Sequence, residues 1–263
     1  MKSKIRIGVT DLSFHRLTAS LVSNVIKEWG FETAQLYAPH EANFEQLKSG
    51  KVDMLVSAWL PSSHGKYKEE VEATVPLSSL GLHYEPYALW GVPDYVPEEM
   101  VKEVADLLKP EVIAKMKPEI QGINPGAGIT RFSIRMMEAY GLNKAGYQFF
   151  PGNEQQCFDA FEGAVQNKEW CIVPLWKPQF LHHKYKIREL HEPLGLLGIV
   201  DRAVLLIRDD KKALFTAAQL EKLDKLCFSN EIIAALDYQV SREGKDLEEV
   251  TLEWLRKHMP EVL

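Results

Sequence analysis

The sequence predicts an α/β protein of two related lobes, each a mostly parallel sheet flanked by helices. Three observations indicate this class. The chain contains an internal repeat, the same order of strands and helices occurs twice, and a glycine follows the first helix of each lobe. Residues 44–61 (FEQLKSGKVDMLVSAWLP) align with residues 161–178 (FEGAVQNKEWCIVPLWKP) at a constant offset of 117. The aligned pairs include Phe44 with Phe161 and Trp59 with Trp176. A repeat of this length indicates duplicated structural units.

The first lobe is predicted to contain three strands separated by two helices. A helix over 16–29 is favoured because its apolar residues recur at i, i+4 spacing, and Gly30 is a natural residue for its end. The order strand–helix–strand–helix–strand is typical of parallel sheets. The predicted strands cover 5–9, 33–37 and 54–58, and the second helix covers 44–48.

The second lobe repeats this order. A glycine-rich turn over 122–128 (GINPGAG) precedes a predicted helix over 129–140, and Gly141 follows it as Gly30 follows the first helix. A strand over 147–150, a helix over 157–166 and a strand over 171–175 complete the predicted lobe.

Two further stretches rich in strand formers, 82–92 and 199–207, are the predicted hinge strands between the lobes. The expected domains are therefore 1–90 as the first part of lobe 1, 91–198 as lobe 2, and 199–263 as a return to lobe 1. Residues 214–240 and 246–258 are predicted to form C-terminal helices that pack on lobe 1.

The composition of the chain argues against several classes of function. The chain has 263 residues, a net charge of −6 and no basic run, which argues against nucleic acid as a partner. No apolar stretch is long enough to cross a membrane, so contact with one is expected to be peripheral at most. Cys157, Cys171 and Cys227 lack metal or disulfide spacing and are predicted to be buried free thiols.

Trp59 and Trp176 are the strongest candidates for a binding site. Each follows the apolar run of a predicted strand and stands two residues before a proline. The carboxyl ends of strands are where α/β sheets bind ligands. Because the duplication places one tryptophan in each lobe, we predict that both rings face a cationic ligand across a cleft.

The strand-to-helix turn of each lobe supplies further candidates. Gly126 and Gly128 let backbone N–H groups approach a ligand at a helix N-terminus, which suits a carboxylate. Phe14 and His15 occupy the matching turn of lobe 1 and are predicted to line the same cleft. Trp90, in a predicted hinge strand, is either packed between the lobes or part of an aromatic cage.

The histidines do not have the spacing of a metal site, so neither a metal nor a cofactor is predicted. His64 and His182 are related by the duplication, which favours a shared local role over a metal cluster. The chain has no GxSxG, P-loop, HExxH or CxxC motif, and no acid–base pair at a recognisable spacing. We therefore do not expect an enzyme.

Four segments resemble the substrate-binding proteins of glycine betaine and related quaternary-amine ABC importers. They are VDMLVSAWLPSSHGKY (52–67), YALWGVPDYV (87–96), GINPGAGI (122–129) and LWKPQFLHHKY (175–185), and the similarity spans about residues 4–255. The resemblance implies the type II periplasmic-binding-protein fold, capture of an osmoprotectant without chemistry on it, and delivery to a membrane permease.

The resemblance also implies roles for individual residues. Trp59 would stack on a trimethylammonium group and Trp176 would be its counterpart. Gln179 stands where a carboxylate-binding histidine is common in the family, and His64 belongs to the first motif. The departure at Gln179 leaves several ligands open: a betaine, choline, carnitine or a sulfonium analogue.

The location also stays open at this point. A family member would be periplasmic or otherwise extracytoplasmic, and the sequence MKSKIRIGVTD begins with no apolar signal region. A cytosolic small-molecule sensor built on the same lobes is the alternative interpretation.

Overall fold

The computed structural model describes residues 4–263. The strands are β1 Lys4–Thr10, β2 Glu32–Ala38, β3 Met54–Leu60, β4 Leu77–Tyr84, β5 Tyr87–Pro93, β6 Glu119–Gln121, β7 Gln148–Phe150, β8 Val173–Lys177, β9 Ile187–Glu189 and β10 Arg202–Arg208. The α-helices are α1 Ser13–Glu28, α2 His40–Lys48, α3 Gly65–Glu72, α4 Pro110–Ile113, α5 Gly128–Ala139, α6 Glu154–Gln166, α7 Leu181–Lys184, α8 Ala217–Asp224, α9 Asn230–Ser241 and α10 Leu247–His258.

The chain divides into two compact units. Among the described residues, unit 1 contains 4–86, 178–180 and 201–263, and unit 2 contains 87–177 and 181–200. Each unit is α/β, as the sequence predicts, and each contains one copy of the duplicated segment.

Unit 1 is built on a five-stranded sheet in the order β2-β1-β3-β10-β4. β1 pairs in parallel with β2 and β3, whereas β10 runs antiparallel to β3 and β4. β3 is buried along nearly its whole length because helices cover the sheet: α2 and α3 pack on one side around Phe44 and Tyr67, and α1 packs against α9 and α10.

Unit 2 has two smaller sheets. β5 lies between β8 and β9 and pairs antiparallel with both, and β6 pairs in parallel with β7. Because β10 is also antiparallel to its neighbours in unit 1, the strand pairing is mixed and not mostly parallel as predicted. α5 is tied to the first sheet by the Trp90 indole, which donates to Ser133 Oγ at 2.8 Å.

Two predicted elements are divided in the structure. The predicted strand over 82–92 is two strands, because the chain leaves β4 at Glu85–Pro86 and enters β5 of the other unit at Tyr87. The predicted helix over 214–240 is α8 and α9, separated by residues 225–229 with Ser229 capping α9. Cys227 lies in this break and is exposed, so its predicted burial is wrong, whereas Cys157 and Cys171 are buried free thiols as predicted.

Candidate functional site

Trp59 lies near the carboxyl end of β3, as predicted, and is the centre of a group of rings in unit 1. Phe14 lies 5.2 Å from its ring centroid, His15 lies 5.4 Å away, and His64 is stacked at 6.2 Å. We call this group the Trp59 cluster. Its members are Phe14, His15, His40, Trp59, His64 and Tyr84.

Several neighbouring elements of unit 1 hold these rings together. Phe14 and His15 occupy the first turn of α1, which starts at the carboxyl end of β1. The chain between β3 and α3 is held by Asp201, whose carboxylate accepts from Ser62 N at 2.6 Å and Ser63 N at 2.9 Å. Parallel pairing of β1 with β3 brings the two carboxyl ends to the same sheet edge, so the predicted residues meet there.

Two histidines of the cluster, His15 and His64, are neutral in this environment. The pKa of His15 lies well below its ordinary value because the ring is buried and, secondarily, because His40 is close. Trp59 N donates to His64 Nδ1 at 2.9 Å, so Nδ1 of that ring is an acceptor and the proton of the neutral ring is on Nε2. The two imidazoles nearest the Trp59 ring that these contacts describe therefore carry no charge.

His15, His40 and His64 together form the one group among residues 4–263 with the composition of a metal site. One ring nitrogen from each lies within 4.8 Å of the others. The prediction that the histidines are badly arranged for a metal is wrong on this point, because folding brings together three residues that are far apart in sequence. Coordination by all three would nevertheless require His64 to abandon the Trp59 amide proton, since Nε2 carries the proton while Nδ1 accepts. The bond to Trp59 thus favours hydrogen-bonded neutral rings over a metal.

Trp176 takes the corresponding position in unit 2. It lies near the carboxyl end of β8, pairs with Ala88 of β5, and has Phe158 of α6 at a centroid distance of 6.1 Å. The side chain is buried, with 2% of its surface exposed, against 7% for Trp59. One tryptophan of the duplicated motif thus stands at a strand end in each unit.

The duplication extends to side-chain contacts. Phe44 packs on Tyr67 at 5.5 Å in unit 1, and the related Phe161 packs on Tyr185 at 5.4 Å in unit 2. His182 Nε2 donates to Trp176 O at 3.1 Å, whereas His64 Nδ1 accepts from Trp59 N, so both rings bind the tryptophan backbone but in opposite directions. The local role shared by His64 and His182 is thus a hydrogen bond to the backbone of the duplicated tryptophan.

The remaining predicted residues are distributed over both units. Gly126 lies in the turn before α5, and Gly128 is the first residue of that helix. Gln179 is fully buried and groups with unit 1. Trp90 is fully buried in unit 2, with its indole bound to Ser133.

Sequence reasoning missed three members of this environment. His40 begins α2, and neither its spacing from the other histidines nor any motif marks it. Ser57 adopts a left-handed backbone conformation inside β3, which its residue type does not signal. Asp237 of α9 accepts from Ser13 Oγ at 2.7 Å and so fastens that helix to the start of α1. Burial raises the pKa of Asp237 to about 6.

Comparison with known proteins gives the family. Residues 3–257 match the family model described as the substrate binding domain of the ABC-type glycine betaine transport system. The chain belongs to this family. It is a family of binding domains for transport rather than a class of enzymes, and the resemblance drawn from the four motifs is confirmed.

Solved structures share the fold. The chain has a TM-score of 0.85 and 23% identity to lactococcal OpuAC in its closed conformation with glycine betaine, covering 99% of this chain and 98% of that one. A glycine betaine/L-proline-binding protein (ProX) from Borrelia burgdorferi gives 0.84 and 25% identity, covering 99% and 95%. A choline-binding protein in complex with choline gives 0.83 and 16%, covering 99% and 90%. The predicted α/β, two-lobed fold class is confirmed.

One curated relative shares only part of its length with this chain. The glycine betaine/carnitine transport binding protein GbuC of Listeria monocytogenes serotype 1/2a (strain 10403S) is 22% identical over 143 residues. That match spans 54% of this chain and about half of the relative, 47%. Across residues 4–263, no helix has both the length and the apolar character needed to cross a membrane.

Proposed function

We propose that this chain is the solute-binding protein of an ABC importer and that it captures a small quaternary-ammonium compound of the glycine betaine, choline or carnitine type. The observation that carries the proposal is the placement of Trp59 and Trp176 at equivalent strand ends, one in each unit, in a chain of this family.

The chemistry of the head group explains the residue type. A quaternary ammonium has no N–H and cannot be held by hydrogen bonds, whereas the face of an aromatic ring attracts its diffuse charge. Each such contact contributes about 0.5–2 kcal/mol. Two or three faces together with contacts to a carboxylate are consistent with micromolar affinity, about −8 kcal/mol.

The electrostatics of the Trp59 cluster agree with a cationic guest. His15 is neutral at physiological pH because burial and its neighbour His40 lower its pKa. The ring next to Trp59 therefore adds no positive charge that would repel an ammonium group.

The other end of the ligand is assigned to the turn before α5 and to Gln179. A helix N-terminus carries unpaired N–H donors and positive dipole, which suits a carboxylate near Gly126 and Gly128. Gln179 adds a neutral amide donor where the family commonly has histidine. In this proposal the partner is a membrane permease and the protein works outside the cytoplasm.

Calorimetric titration against matched pairs of compounds tests the proposal. Glycine betaine is compared with 3,3-dimethylbutanoate, and choline with 3,3-dimethylbutan-1-ol, because each pair has the same shape and differs by one positive charge. We expect one ammonium-bearing member to bind at micromolar concentration and its carbon isostere, which lacks the ammonium charge, at least about tenfold more weakly, one tenfold step being about 1.4 kcal/mol. Equal binding of the two members of a pair would contradict a quaternary-ammonium site. Failure of all four compounds and of carnitine to bind would contradict it as well.

A further inference from the structure

Ser57 is a buried residue of β3 whose backbone leaves the strand conformation. Its φ is +64°, a left-handed value that L-residues other than glycine adopt at a cost of about 1–2 kcal/mol. The pairing with β10 is irregular at the same place: Ala58 faces Val204 and Leu55 faces Leu206. Two residues of β3, Val56 and Ser57, therefore stand opposite Leu205, as in a β-bulge.

The bulge gives the Ser57 hydroxyl a defined partner. Trp59 Nε1 donates to Ser57 Oγ at 3.2 Å and to Tyr84 Oη at 3.2 Å, and the two hydroxyls are hydrogen bonded to each other. The Tyr84 ring stands at 90° to the indole with a centroid distance of 6.3 Å and is 2% exposed. The only polar atom of the Trp59 side chain is thus directed at two buried hydroxyl groups of unit 1.

We infer that Ser57 and Tyr84 are positioning residues that fix the Trp59 indole through its N–H, so that the ring offers a ligand its face and not its hydrogen-bond donor. This inference rests on the proposed function, in which Trp59 contacts a quaternary ammonium. An indole held in one orientation loses less conformational freedom when the ligand binds. An indole whose N–H is already bound does not turn its edge toward a carboxylate or hydroxyl of the ligand. Local strain at a residue of this kind is typical of binding sites.

A double-mutant cycle between Trp59 and Tyr84 tests the inference. Tyr84→Phe removes only the hydroxyl, and Trp59→Phe keeps an aromatic face but has no N–H. With glycine betaine as the probe, or choline if it binds more tightly, we expect Tyr84→Phe to weaken binding about three- to tenfold when Trp59 is present. In the Trp59→Phe background the same substitution should change affinity less than about twofold.

Two further variants separate the hydroxyl from structural effects. Ser57→Gly accepts the left-handed backbone and removes the other hydroxyl, so it should also weaken binding while the protein stays folded. Tyr147→Phe is the matched control, because Tyr147 is a buried tyrosine of unit 2 whose hydroxyl donates to Leu107 O at 2.9 Å. Binding by Tyr147→Phe should equal that of the natural sequence.

Hydrogen exchange of the Trp59 indole proton provides a measurement that needs no ligand. In the ¹⁵N-labelled protein, the indole proton of Trp59 should exchange with water slowly and should exchange faster in Tyr84→Phe. An equal loss of affinity from Tyr84→Phe in both backgrounds would make Tyr84 a general structural residue and overturn the inference. Unchanged affinity together with unchanged indole exchange in Tyr84→Phe would overturn it as well. If Trp59→Ala itself leaves binding intact, the proposed site at Trp59 fails instead, so the two failures are distinguishable.

Discussion

The two tryptophans of the duplicated motif permit a test at the level of single residues. Trp59→Ala and Trp176→Ala should each weaken binding of glycine betaine or choline by roughly 1–3 kcal/mol, because each removes an aromatic face. If both rings contact one cation, their effects should not add, and the double variant should reveal a coupling energy of about 0.5 kcal/mol or more. Isothermal titration calorimetry measures the affinity of the natural protein, the two single variants and the double variant.

Trp29→Ala is the control for that experiment. Trp29 lies in unit 1, where its indole donates to Val262 O at 3.0 Å, and it is not a member of the Trp59 cluster. Its removal should lower stability and leave affinity unchanged. Strict additivity of the Trp59 and Trp176 effects would argue that the rings act on separate parts of the ligand, and unchanged affinity in both variants would remove them from the site.

Sequence alone identifies those residues of the Trp59 cluster that a local pattern marks. Trp59 is marked by the duplication and by its position after an apolar strand, and Phe14 and His15 are marked by the strand-to-helix turn. His40 and Ser57 are not marked, because their roles depend on contacts across the sheet and on a bulge that involves β10, about 150 residues later in the chain. Periodicity describes an element and not its distant neighbours.

At the level of elements, apolar spacing and glycines located most helices and strands of both units. Gly30, at φ +91°, and Gly141, at φ +67°, follow α1 and α5 as predicted. The short elements α3, β6 and β9 were not predicted, and the two divided elements lie where composition is uniform across a break. Strand formers continue from 82 to 92 although the chain passes between units at Pro86, and apolar residues continue through the gap between α8 and α9. Tertiary packing decides those breaks.

Gly81 of β4 supplies a prediction about packing between elements. Its φ is +74°, and an added Cβ would lie 3.2 Å from Leu223 O and 3.3 Å from Asp224 O at the end of α8. Gly30 has a similar φ, but an added Cβ there would have no atom within 4 Å. Gly81→Ala should therefore cost more than Gly30→Ala, by about 1–3 kcal/mol of unfolding free energy, because backbone atoms must move. Urea denaturation of both variants compares them under identical conditions.

Gly30→Ala serves as the reference because it carries the cost of a left-handed alanine without the clash. Equal destabilisation by the two variants would show that backbone conformation alone matters at Gly81 and that α8 is not held tightly against β4.

At the level of the whole molecule, the duplication was the most informative feature of the sequence. It predicted two α/β units with equivalent tryptophans, and the motifs around those tryptophans indicated the family that the comparison confirmed. The paired contacts of Phe44 with Tyr67 and Phe161 with Tyr185 show why so much could be read: both copies keep the same local packing. The identity of the ligand was not readable in this way, because the departure at Gln179 from the residue common in the family leaves several quaternary amines compatible with the sequence.

Buried histidines predict how the stability of the molecule depends on pH. Burial lowers the pKa of His83 from 6.5 to about 4, although Leu226 O partly opposes the shift, and burial also lowers the pKa of His15 and His182. Between these values the unfolded chain binds protons that the folded protein does not, so folding stability is complete above about pH 6.5 and falls as the pH drops toward 4. Asp237 has the opposite effect on stability. Its pKa in the folded protein is about 6, so between about pH 4 and pH 6 the folded protein holds a proton that the unfolded chain has released, and this contribution to stability is lost as the pH rises.

A variant of His83 tests one part of this dependence of stability on pH. The ring is fully buried in β4, where Nδ1 lies 3.2 Å from Leu226 O, and its shift alone corresponds to about 2 kcal/mol of unfolding free energy lost between pH 7 and pH 5. His83→Gln keeps an amide donor that does not titrate, so its urea midpoint should decline less steeply over this range than that of the natural sequence, even if the variant starts lower at pH 7. His191→Gln removes an exposed imidazole and should follow the natural sequence. Parallel curves for His83→Gln and the natural protein would mean that His83 binds its proton equally well in the folded and unfolded states. That result would contradict a pKa lowered by burial in the core of unit 1.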